Sequence, residues 1–213
     1  MKTKEIKHFY LEYTEDDQDI ITSISNLIDD TYEETVNKFN LKADAEKFEF
    51  ILCASVKSFI EKTGRRVEDY ETWMVGNADY IKRKICILSP KVVTDRSYDD
   101  MLAVIRHEIV HIAFDSLSNA EETNIMIAEG IAVALANQID VTRINKEAYP
   151  NAWQLTDEDY FYENDGYLYS GVYVLYLIKK YGIDVFKRIY AGEESVEKYL
   201  YEGFEKEAID YCL

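Results

Sequence analysis

The sequence predicts an α+β protein, with a small mixed sheet lobe over residues 1–96 and an all-helical lobe over residues 97–213. Three observations carry this expectation. Stretches of strand character fall before Pro90; from Ser97 onward apolar residues recur at helical spacing only; and Pro90 stands at the change between the two patterns. No repeat, low-complexity tract or Pro/Gly-rich linker interrupts the chain, and two prolines and eight glycines leave little room for long flexible connections. A single domain spanning 1–213 is therefore expected, with 47% apolar residues sufficient for one sizeable core.

The elements follow in order. Residues 7–13, Lys-His-Phe-Tyr-Leu-Glu-Tyr, read as a strand. Between Asp16 and Phe39, the residues Ile20, Ile21, Ile24, Leu27, Ile28, Tyr32 and Val36 recur at helical spacing and predict a long amphipathic helix. Phe48 to Val56 and Arg83 to Leu88 alternate or run apolar with aromatic and β-branched residues, as half-buried strands do. Between them, Lys57 to Lys62 reads as a short helix closed by Gly64. Ser97 and Asp100 have the spacing of a capping box, with Asp in place of the usual Glu, ahead of a helix from Met101 to Leu117. A further helix is expected over Glu121 to Gln138, another from Tyr167 to Tyr181 capped by Gly182, and two shorter ones after it.

Charge narrows the partners. With 41 acidic and 24 basic side chains, the formal net charge of -17 repels phosphate backbones and anionic lipid headgroups, so neither nucleic acid nor a membrane surface is expected as a partner. The longest apolar stretch, Ile125 to Ile139, is shorter than a membrane span and carries Glu129 inside it. Met1 to His8 has positive charge but no apolar stretch behind it, so no secretory signal is expected and the location is read as cytoplasmic. Cys53, Cys86 and Cys212 are odd in number and widely spaced, which points to reduced, mostly buried thiols rather than disulfides or a cysteine metal site.

Two of the three histidines form His107-Glu108-Ile109-Val110-His111. At about 100° per residue, His107 and His111 lie one above the other on a helical face, where two imidazoles can meet one ion. Glu108, one step around the helix, can reach a water on that ion without competing for the ion itself. The surrounding helix is apolar nearly all round, with Leu102, Val104, Ile105, Ile109, Val110, Ile112 and Phe114, and must be largely buried. Buried imidazoles and a carboxylate need partners, and Zn²⁺ would satisfy all three groups. The plain alternative is a pair of core histidines bonded to backbone.

A catalytic zinc takes three protein ligands and keeps a position open. Glu129 is the candidate third ligand, because it stands inside Ile127-Ala128-Glu129-Gly130-Ile131-Ala132, an apolar helix in which an unpartnered carboxylate is costly. Gly130 is unfavourable in mid-helix by about 1 kcal/mol relative to Ala, which suggests a close approach to the active-site helix.

His-Glu-x-x-His followed by Glu-Gly-x-Ala at this distance resembles the gluzincins, the peptidase MA-like metallopeptidases that include thermolysin and its aminopeptidase relatives. The resemblance spans about residues 45 to 190. It implies a zincin fold, Zn²⁺ held by His107, His111 and Glu129, and peptide-bond hydrolysis of a peptide or protein substrate by a zinc-activated water with Glu108 as general base. Val75-Gly76-Asn77-Ala78-Asp79-Tyr80 looks like the edge strand that lines the substrate cleft in that group, so Gly76, Asn77 and Ala78 are implied to bind substrate. Tyr167 to Gly182 is similar to the later helix whose tyrosine stabilises the oxyanion, a role that falls to Tyr167 or to Tyr169. Ala128 stands where many of the aminopeptidases have Asn, the aminopeptidase edge motif Gly-Ala-Met-Glu-Asn is absent, and Val133 stands where thermolysin-like enzymes have Asp. Aminopeptidase specificity is therefore not carried over, and Asp115 becomes a candidate partner for the histidines. The alternative reading is a non-hydrolytic zinc-binding regulatory or chaperone-like module that keeps the fold.

Other residues read blandly. His8 is expected at a strand edge, Trp73 and Trp153 in an aromatic core, and the run Asp157-Glu158-Asp159 with Glu163 and Asp165 in a solvated loop, since the spacing and glycine of a calcium-binding loop are missing.

Overall fold

The computed structural model describes residues 1–118 and 123–213. It is an α+β protein whose chain divides into two compact units, Met1–Ser116 and Leu117–Leu213. The division falls near the end of the helix that carries His107 and His111, later than the change of pattern at Pro90. Among the described residues no helix is long and apolar enough to cross a membrane.

The first unit is built on a five-stranded mixed sheet. Its strands are β1 (Lys2–Glu5), β2 (Phe9–Tyr13), β3 (Phe48–Cys53), β4 (Gly76–Asp79) and β5 (Lys84–Leu88), in the spatial order β1-β2-β3-β5-β4. β2, β3 and β5 run parallel, and β1 and β4 close the two edges antiparallel. The central strand β3 is buried at every position but Glu49, which is why it reads as an apolar run rather than an alternation. β1 has no counterpart in the sequence reading. Its Lys-Thr-Lys-Glu alternates half-buried with exposed, as suits an edge strand, and carries no apolar signal.

Three helices accompany this sheet in the chain: α1 (Ile21–Phe39), α2 (Val56–Thr63) and α3 (Tyr98–Ser118). Register puts Phe9 beside Phe48 and Leu11 beside Phe50, and Tyr32 of α1 meets Phe9 and Phe48 at ring distances of 5.8 and 6.2 Å. Phe39 of α1 in turn stacks edge-on against Phe114 of α3 at 4.9 Å. α2 packs against β3 and β5. α1 starts later than its periodicity predicts because Thr14 caps a 3-10 turn over Glu15–Asp17, and the buried Asp17 carboxylate accepts the hydroxyls of Thr14 and Ser89. Cys53 and Cys86 are buried and unbridged, as expected; the hydrogen bond with Cys53 and burial push the Cys86 thiol up.

The second unit is helical: α4 (Ile125–Leu135), α5 (Glu158–Glu163), α6 (Gly166–Tyr181), α7 (Ile183–Tyr190) and α8 (Phe204–Cys212). α4 begins at Asn124, whose side chain accepts the Met126 N–H; the expected start at Glu121 lies outside the described residues. α6 ends where Gly182 takes φ +89°, as its sequence suggests. The acidic run belongs to a short helix rather than a loop. Asp157 caps α5 by accepting the Tyr160 N–H, and Glu158 and Asp159 occupy the first turn, where the helix dipole favours negative charge. Trp73 and Trp153 are also corrected: both are about half exposed, because each stands in a connection, with Trp153 Nε1 donating to Glu197.

Candidate metal and hydrolytic site

α3 opens with the expected capping box. Ser97 Oγ accepts the Asp100 N–H at 3.1 Å while the Asp100 carboxylate accepts the Ser97 N–H at 3.1 Å and its hydroxyl at 2.7 Å. From there Met101, Ile105, Ile109, Val110, Ile112 and Phe114 bury most of the helix surface. His107 is 8% exposed and His111 half-buried. Their separation of four residues turns both rings to one side, and their Nε2 atoms stand 3.0 Å apart. The ring planes are inclined by 74°, edge-on rather than stacked, with the two nitrogens at hydrogen-bond distance.

Glu108 lies against β4. A Cβ built on Gly76 would stand 2.6 Å from Glu108 Oε1 and 3.0 Å from its Cγ and Cδ. β4 is an edge strand, and its pairing with β5 leaves a defined set of backbone groups open. The Leu88 N–H donates to the Val75 carbonyl at 2.8 Å, which makes Val75 and Leu88 a hydrogen-bonded pair. By antiparallel alternation the next such pair is Asn77 with Cys86, so Gly76 and Ala78 turn their N–H and C=O groups to the outer edge. Of the three residues implied to bind substrate, Gly76 and Ala78 thus offer backbone groups, and Asn77 only its side chain.

Asp115 is half-buried four residues beyond His111 on α3. The Tyr80 phenol just after β4 is pushed up, first by burial, then by the charge of Asp44 and more weakly by that of Asp115.

In the second unit, Glu129 is half-buried on α4. Gly130 beside it is corrected. The backbone it makes room for is that of α6, since an added Cβ would meet the Ser170 carbonyl oxygen and Val174 Cγ2, each at 2.6 Å. Gly171 on α6 reciprocates, with Val133 Cγ1 at 2.7 Å. The two tyrosines differ. Tyr169 is buried and its hydroxyl accepts the Asn145 N–H at 3.1 Å. Tyr167, in the first turn of α6, is 37% exposed with its ring edge-on to Phe161.

The contact of Gly76 with Glu108 was not read from the sequence. The available signal was a glycine in a strand, which often marks a close backbone approach. No protein-family model, curated protein or solved structure matches this chain.

Proposed function

We propose that this chain is a zinc-dependent metallopeptidase of gluzincin type. The observation that carries the reading is the pair of facing imidazole nitrogens on a buried helix, with a carboxylate one residue away packed on Gly76 of the edge strand β4. The two nitrogens stand at hydrogen-bond distance, 3.0 Å, and would open to about 3.3 Å to share one tetrahedral zinc at its usual bond length. Among the described residues, His107, His111 and Glu129 form a group that could hold a metal ion. Two imidazoles and one carboxylate are a donor set of the kind catalytic zinc uses. A mixed sheet whose antiparallel edge strand β4 carries Gly76 against Glu108 of α3 also supports the zincin likeness.

When bound, zinc supplies Lewis acidity, polarising a carbonyl and lowering the pKa of a water toward about 7. The chain's own residues supply the rest. The open N–H and C=O groups of Gly76 and Ala78 bind an extended peptide as an added strand, which sets its carbonyl beside Glu108. Glu108 takes the proton of the attacking water at a carboxylate oxygen and delivers it to the leaving amine. Of the two tyrosines, Tyr167, exposed on α6, is the candidate to donate to the oxyanion, because the Tyr169 hydroxyl already serves the Asn145 amide.

Metal analysis together with hydrolysis of a mixed peptide library, wild type beside Glu108→Gln, tests the reading. Zinc in both proteins with cleavage by the wild type alone is expected, the variant losing at least about a hundredfold. Zinc in both and cleavage in neither would leave the non-hydrolytic zinc-binding module instead.

A further inference from the structure

We propose that Gly76 is a positioning residue for Glu108, beyond any part it takes in holding substrate; the catalytic consequence rests on the peptidase reading. Gly76 does not serve its strand by backbone freedom. The glycines with positive φ are Gly64, Gly182, Gly192 and Gly203, so Gly76 has a conformation open to other residues. What distinguishes it is room. Any other side chain begins with a Cβ, and that atom would stand 2.6 Å from Glu108 Oε1, closer than real Cβ contacts come, and 3.0 Å from Cγ and Cδ, tighter than most. The near atoms are the far end of a flexible side chain on α3, not backbone. β4 therefore keeps its place through its pairing with β5, and the carboxylate is the group that yields. Alanine at this position swings the Glu108 carboxylate away from the point it now occupies, while His107 and His111 keep their mutual geometry on α3. The bare backbone at 76 sets the spacing between the Glu108 carboxylate and β4.

The experiment uses the full chain and four proteins: wild type, Gly76→Ala, Glu108→Asp and the double variant. Aspartate keeps the charge and withdraws it by one methylene, which relieves the crowding. Urea midpoints are measured on the metal-free proteins, so this arm is independent of catalysis. The Glu108→Asp change is expected to raise the midpoint in the Gly76→Ala background and not in wild type. In parallel, zinc content is measured, and turnover is followed on one peptide found cleaved in the library. Gly76→Ala is expected to bind zinc in the wild-type ratio and to lose at least tenfold in kcat with KM little changed, whereas a purely substrate-holding Gly76 would show in KM. Additive midpoints overturn the inference whatever the activity, and so does a loss confined to KM. Coupled midpoints with a wild type that cleaves nothing uphold the steric role of Gly76 and overturn the peptidase reading alone.

Discussion

Gly76 and Gly130 each sit where an added methyl group would come within 2.6 Å of a neighbour, yet the neighbours differ in kind. Against Gly76 lies the tip of a glutamate side chain; against Gly130 lie the carbonyl oxygen of Ser170 at 2.6 Å and its carbon at 2.9 Å, the backbone of α6. A side-chain tip can swing aside at the cost of a rotamer. A helix backbone moves only with everything packed on it. Equal distances therefore carry unequal consequences: crowding at β4 disturbs the placing of one carboxylate, and crowding between α4 and α6 disturbs the fold of the second unit.

The largest effect that bears on this contrast comes from the proposed ligand pair, His107 and His111. His111→Ala leaves His107 without its facing nitrogen and is expected to weaken zinc binding about a thousandfold, more than loss of an outer hydrogen-bonding partner costs. Titration with a competing chelator measures it, and wild-type affinity in the variant would remove this pair as the metal site. Next comes stability. Gly130→Ala gains about 1 kcal/mol of helix propensity but forces α4 from α6, for a net loss of about 3 kcal/mol by urea unfolding. Gly76→Ala is expected to lose about 1 kcal/mol or less by the same measurement, and equal losses would erase the distinction drawn here.

The smallest effect lies at the start of α3. Hydrogen bonds from the Ser97 hydroxyl and then its backbone N–H hold the Asp100 carboxyl below the ordinary carboxylate range. A folded pKa below the unfolded one stabilises the fold at neutral pH, and that contribution fades as pH falls through the depressed value. Asp100→Asn is thus expected to lower the urea midpoint at pH 7 slightly and to match wild type in acid. An unchanged difference in acid would mean that the cap acts through something other than the charge.

What was legible in the sequence was what repeats locally. The spacing of His107 and His111 on a helix, the Ser97–Asp100 box and the glycine stops at Gly64 and Gly182 are each set within a few residues, and each is found in the structure. What failed depended on neighbours distant in the chain. β1 owes its existence to β2, since its own side chains carry no apolar face. Gly130 announced a close approach, but only the packed unit says that α6 is what approaches. The tryptophans were assigned by size, and their place in connections decided otherwise. The acidic run was judged by charge alone, although Asp157 is also a good helix start. For the candidate site, sequence named His107, His111 and Glu108, while the glycine that makes room for that glutamate came into view only once β4 and α3 were brought together.

The open flank of β4 has one more consequence. The opposite flank of the sheet is guarded by Lys2 and Lys4 on β1, the usual defence against unwanted pairing. Gly-Asn-Ala-Asp on β4 has a single charge, at its end. An edge strand with outward N–H and C=O groups can pair with any extended segment, the edge of another copy included. Keeping copies apart then falls to the mutual repulsion of molecules carrying -17 each, a defence that lapses as the solution approaches the isoelectric point near 4.6.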